Sequence, residues 1–149
     1  MSTLASSTGY PPSGVRWIEA LAKAVEPIPE LTLVVVFGSV ATDRDRPNSD
    51  LDVGVLGGGD GAPDLARLRV HLERVTGRRV ELVRLDSAPP LLRMEVARHG
   101  RVVLERAPHA WASFRAHAMI DWWDWAPTAR RMQQTAMRRL REEAAGGPS

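Results

Sequence analysis

Asp50 and Asp52 flank a single apolar residue, Leu51, at the head of an apolar run that continues from Val53 to Leu56. Upstream, a second apolar run, Leu31 to Phe37, ends in the pair Gly38-Ser39, and ten residues separate Ser39 from Asp50. Residues i and i+2 of a strand share a face. The two carboxylates would therefore stand on one side about 6–7 Å apart at Cα, at roughly 3.3 Å per residue, while Leu51, Val53 and Val55 face a core. Carboxylates fixed in this way repel one another and invite a hard divalent cation. Mg²⁺ is commonly held by one or two carboxylates together with substrate phosphates. Gly38 lets backbone approach a phosphate closely, and Ser39 adds an N–H and a hydroxyl where a helix would begin. An Asp-x-Asp after a turn is frequent on ordinary surface strands, and Asn48-Ser49-Asp50 would serve as a turn by itself. The joint pattern of strand, Gly-Ser, gap and acid pair carries the reading of a site for Mg²⁺ and a triphosphate.

The run Arg79 to Leu85 offers a third acid. Glu81, Val83 and Leu85 share one face, and an acid on an apolar face is costly unless a cation or hydrogen bonds meet it. The competing reading leaves Glu81 at an exposed edge. Asp86, before Ser87-Ala88-Pro89-Pro90, reads as a cap or turn residue.

Gly38-Ser39, the ten-residue gap and Asp50-Leu51-Asp52 resemble the signature of the DNA polymerase β-type nucleotidyltransferases. In so short a chain they are similar to its minimal nucleotidyltransferase branch, the MntA-like antitoxins paired with HEPN-domain toxins. The resemblance runs from about Val15 to the helix after Pro108. It implies an α/β (α+β) polymerase β-like fold with a small mixed sheet flanked by helices. It also implies two Mg²⁺ ions on Asp50, Asp52 and Glu81, and ATP as substrate, with Gly38, Ser39 and Ser49 binding the nucleotide. AMP would pass to a tyrosine hydroxyl of a HEPN ribonuclease toxin and silence it, within a hetero-oligomer. Two departures stand out: Thr42 and Asp43 replace the family's frequent Arg-Gly, and the third acid is Glu81 where Asp is common. A small-molecule nucleotidyltransferase of the aminoglycoside kind and a non-catalytic toxin-binding antitoxin are the alternatives.

The whole chain is compatible with this chemistry. Its 149 residues suffice for one domain with a buried core, at 44% hydrophobic and 26% charged content. The absence of cysteine removes disulfides and thiolate metal sites and suits a cytoplasmic setting. Residues 1–14 lack the basic segment and apolar stretch of a signal peptide, and no run is long enough to span a membrane. Net charge is +2 and the cations are nearly all arginine, which gives little reason to expect nucleic-acid binding. Arg44 and Arg46, in the gap, read as solvated or, less readily, as nucleotide contacts.

The elements follow from periodicity and breakers. Helices are expected at about Val15 to Val25, Pro63 to Thr76 with Gly77 closing it, and Pro90 to His99. Strands are expected at Leu31 to Phe37, Asp50 to Leu56, Arg79 to Leu85 and Arg101 to Leu104, and two helical pieces divided by Pro127 follow. The domains read as a tail (1–14), a nucleotidyltransferase domain (15–106), a helical extension packed on the domain or on a partner (107–145), and a tail (146–149). Gly57-Gly58-Gly59-Asp60-Gly61-Ala62 fits a dinucleotide fingerprint with Glu81 about 20 residues on. Asp60 in the phosphate cradle and two acids opening the strand argue instead for a solvent-facing loop. His71, His99, His109 and His117 lack zinc-ligand spacing. Trp111, Phe114, Ala118, Trp122 and Trp125 recur at helical spacing and continue through Met132, Ala136 and Leu140, a stripe that reads as core. Trp123 falls off the stripe and reads as a contact residue.

Overall fold

A computed structural model describes residues 15–41, 49–57 and 64–146. Helix α1 (Val15–Val25) places Trp17, Leu21, Ala24 and Val25 on one stripe, all buried. It ends where Pro27 and Pro29 deny the backbone donors a further turn would need. Strand β1 (Leu31–Phe37) is apolar on both faces and pairs antiparallel with β2 (Leu51–Gly57), setting Leu31 against Gly57 and Phe37 against Asp52. Asp64 caps α2 (Leu65–Thr76) by accepting hydrogen bonds from the N–H groups of Ala66 and Arg67. Gly77, at φ 71°, closes that helix in the left-handed conformation, as its position foretold. Strand β3 (Val80–Arg84) then returns parallel to β2, and α3 (Pro90–His99) and β4 (Arg101–Glu105) follow. Strand β4 pairs antiparallel with β1, which gives the mixed sheet order β3-β2-β1-β4.

The sheet is covered on both sides. On one face, α1 and α2 close over Val34, Val36, Leu51, Val53, Val55 and Val80. On the other, α3 and the start of α4 (Ala110–Gly146) close over Leu33, Val35, Phe37 and Leu85. Leu85 fills the space above Gly54, where a Cβ would come within 2.5 Å of its Cδ2. Arg106 latches the α1–β1 connection by donating to the carbonyls of Glu26, Ile28 and Leu31. Among the described residues, no helix is long and apolar enough to cross a membrane.

Helix α4 departs from expectation. It is one helix of 37 residues with Pro127 inside it, not two pieces. A proline removes one ladder hydrogen bond and crowds the carbonyl four residues back, and the turns on either side outlast that local loss. Phe114 and Ala118 are buried, and Trp111 stacks on Phe114 at 5.9 Å between ring centroids. Arg93 of α3 pairs with Asp121 and lies over the Phe114 ring, while Arg115 donates to the Ala97 carbonyl. These contacts fix the first part of α4 to α3. Trp122 and Trp125 are half-buried. Beyond them the stripe is not core: Met132 and Leu140 are 64% and 60% exposed, and Ala136 is exposed as well. Trp123, at 74% exposure, lies on the surface as its position off the stripe implied.

Candidate active site

The sheet's register brings the three acids together. Phe37, Asp52 and Glu81 lie side by side across β1, β2 and β3, because Phe37 pairs with Asp52 and Asp52 with Glu81. Asp50 precedes β2 by one residue, two before Asp52, on the same side. The alternate positions Leu51 and Val53 fill the core under α1 and α2, so the carboxylates stand on the side that α3 and α4 cover farther along. At this end of the strands that cover stops. Asp50 and Glu81 are exposed and Asp52 is half-buried. The cost of an acid on an apolar face is thus avoided at Glu81 by its place at the strand end.

Asp52 is the electrostatic centre. Partial burial, then the neighbouring Glu81 charge and a hydrogen bond with Glu81, then Asp50, push its pKa up to about 6. Gly38 closes the other side. Its φ is 75°, and a Cβ there would overlap the Asp52 carboxylate and stand 3.1 Å from its Cγ. Glycine is therefore required twice, for the backbone conformation and for the carboxylate's place. Ser39 sits in the short 3-10 turn Gly38–Ala41, tighter and shorter than the helix expected there. Ser49 is tied in from behind: Arg78 donates to its carbonyl at 3.5 Å and spreads over the Trp17 ring at 5.7 Å.

Three hard oxygen donors with mutual repulsion match what Mg²⁺ takes from a protein before substrate phosphates complete its shell. Among the described residues, no group of three or more acidic, histidine or cysteine side chains is placed to hold a metal ion as they stand.

Other expected positions fall elsewhere. Arg44 and Arg46, the departures at Thr42 and Asp43, residues 1–14 and the glycines from Gly58 to Gly61 lie outside the described residues. Gly57 ends β2 at the far end from Asp52, and Glu81 neighbours Asp52. Asp86 lies in the turn after β3, 3.7 Å from Arg84, and does not cap α3, whose cap position is Pro89. Arg69, Glu73 and Arg79, which border the site beyond Glu81, carried no sequence signal except that Arg79 stands two residues from Glu81.

The family described as polymerase beta, nucleotidyltransferase, matches residues 19–109, a span that holds Gly38, Ser39, Asp50, Asp52 and Glu81. The chain belongs to the polymerase beta nucleotidyltransferase family. Among relatives, this nucleotidyltransferase is 39% identical over 59 residues to a Methanocaldococcus jannaschii protein named as a candidate protein adenylyltransferase. That alignment spans 39% of the present chain and 63% of the relative. Among solved structures, a chain of a toxin–antitoxin crystallised with AMP-PNP superimposes with a TM-score of 0.71 at 24% identity, covering 80% of this chain and 98% of that one. A chain from the complex of tri-AMPylated Shewanella oneidensis HEPN toxin with MNT antitoxin gives 0.66 at 22% identity, covering 82% and 97%. At such identities the likeness is one of fold.

Proposed function

We propose that this chain transfers AMP from ATP to a hydroxyl group of a protein partner, and that the partner is a HEPN toxin neutralised by the modification. The observation that supports the reading is the meeting of Asp50, Asp52 and Glu81 at one end of the sheet beside Gly38. The solved neighbours favour this acceptor over a small molecule, since one of them pairs an MNT antitoxin with an AMPylated toxin. A cytoplasmic setting, where ATP is available, belongs to the same reading.

Asp50, Asp52 and Glu81 would hold two Mg²⁺ ions. When bound, Mg²⁺ neutralises the phosphates and acidifies the attacking hydroxyl. The chain's own residues do the rest. Gly38, Ser39 and Ser49 would orient the triphosphate through backbone N–H groups and hydroxyls. Glu81, exposed at the strand end, would take the acceptor's proton as its oxygen attacks the α-phosphorus. The bond from that phosphorus to the bridging oxygen breaks, and pyrophosphate leaves. The product is AMP esterified to the acceptor.

Incubation with MgATP and the protein encoded beside it, followed by intact mass measurement of that neighbour, tests the reading. Whole AMP additions that vanish with Asp50→Asn support it. Neutralisation of the neighbour that survives Asp50→Asn, with no mass gained, replaces it with inhibition by contact.

A further inference from the structure

Strand β3 is the outermost strand of the sheet beside the acids, and among the described residues it pairs only with β2. The ladder shows which of its backbone groups face away. The Leu51 N–H donates to the Arg79 carbonyl and the Leu85 N–H donates to the Val55 carbonyl, so the odd-numbered residues of β3 turn their polar groups toward β2. Val80, Leu82 and Arg84 therefore turn theirs outward. The outward N–H of Val80 is already satisfied by the Glu73 carboxylate at 3.0 Å, which blunts the strand's first position. Among the described residues, nothing pairs with this edge from the Val80 carbonyl onward. The edge forms one wall of a groove of about 400 Å³ that reaches Asp50 and Glu81 and is bordered by Arg69 and Arg79. A second groove of about 630 Å³ shares Arg69, Glu73 and Arg79 with it and adds Arg74 and Arg78, four arginines against one glutamate.

We propose that an extended segment of the acceptor protein docks in this groove as an added strand on β3, its hydroxyl residue opposite Glu81 and its acidic residues over the arginines. This rests on the nucleotidyltransferase reading above and specifies how the acceptor reaches that site. Three observations favour a polypeptide here. Outward N–H and C=O groups recognise another backbone in extended form, the strand-addition mode of peptide recognition. An added strand lies about 4.8 Å from β3, so a side chain directly opposite Glu81 comes within reach of the acids with no bending of the partner. The groove itself sets Arg69 and Arg79 against Asp50, Glu73 and Glu81, with Arg69 paired to Glu73 at 3.5 Å. The arginine surplus lies in the adjoining groove, so the acidic flanks of a segment are held there while its neutral hydroxyl residue meets the acids.

Fluorescence anisotropy with the full-length chain and a labelled synthetic peptide tests the docking. The peptide alternates valine and threonine around a central tyrosine and carries glutamates on both flanks. Two further versions carry N-methyl groups on alternate backbone amides, one version for each register. Because the change lies in the ligand, the protein's fold is untouched. One methylated version is expected to bind at least about tenfold more weakly, the loss of one or two net hydrogen bonds, and the other is expected to bind as the parent does. Arg69→Ala with Arg79→Ala should weaken the parent peptide and flatten its salt dependence. Equal binding by both methylated versions, no binding at millimolar peptide, or preferential binding of a single-stranded RNA oligonucleotide of equal charge overturns the docking. Nucleotide chemistry is read separately by mass after adding MgATP. AMP transfer to the peptide with equal binding of both methylated versions sinks the docking and leaves the transferase standing. Register-dependent binding with no AMP transfer to any acceptor does the reverse.

Discussion

Asp52 carries a cost that the rest of the fold accepts. Its pKa of about 6 lies above the 3.8 of a free aspartate, so the folded chain holds this proton more tightly than the unfolded chain does. Stability must then fall as pH rises from about 4 to about 6 and level off above that. Asp52→Asn should remove the penalty and stabilise the metal-free protein at pH 7–8 by about 1 kcal/mol, discounted for the group's partial exposure to solvent. It should give no gain near pH 4, where the aspartate is already neutral. Urea melts at both pH values check this, and the same substitution should abolish AMP transfer. In the wild type, transfer should decline toward acid pH, with a midpoint that falls as Mg²⁺ is raised, because protons compete with Mg²⁺ for Asp52. Gly38→Ala places a Cβ on the Asp52 carboxylate in a left-handed backbone. The strain should cost about 1–2 kcal/mol, and transfer should be lost far beyond what that destabilisation explains. A melting curve measured beside initial rates separates the two effects.

At the level of elements, α4 divides into an anchored part and a projecting part. Phe114 and Ala118 are buried, and the Arg93–Asp121 pair holds that stretch to α3. Every described residue from Arg130 to Gly146 is exposed. Deletion of residues 128–149 should therefore shift the melting temperature by less than about 2 °C, the scale of surface changes in a chain of this size. Phe114→Ala should cost about 3–5 kcal/mol, and differential scanning fluorimetry distinguishes these outcomes. Proline is a strong local breaker, yet its local cost is outweighed when the turns on both sides are already formed. That is why Pro127 suggested two helices where there is one. The apolar stripe misled for a related reason. Helical spacing states which residues share a face, and says nothing of whether another element lies opposite.

For the whole molecule, ligand binding should appear as stability. MgATP at about 100 times its Kd should add about 2.7 kcal/mol, a rise of roughly 5–10 °C in melting temperature for about 150 residues. Chelation of Mg²⁺ should erase most of that rise, and a thermal shift series with and without EDTA measures it. Much of this fold was legible in the chain. The apolar runs that became β1 and β2, the Gly38-Ser39 turn, the Asp50/Asp52 pair and the helix ends at Val25 and Gly77 each rest on local chemistry: strand alternation, glycine's positive φ, proline's missing donor. Local chemistry also set Asp50 and Asp52 on one face, since a strand's period is two. What the tertiary structure alone decided is what stands next to what across the sheet. The parallel return of β3 put Glu81 beside Asp52, the antiparallel pairing of β1 with β2 put Gly38 against the same carboxylate, and the strand order left β3 outermost among the described residues, with Arg69 and Arg79 along its rim. Those neighbours are distant in sequence, and their register is fixed only when both faces of the sheet bury their apolar sets at once.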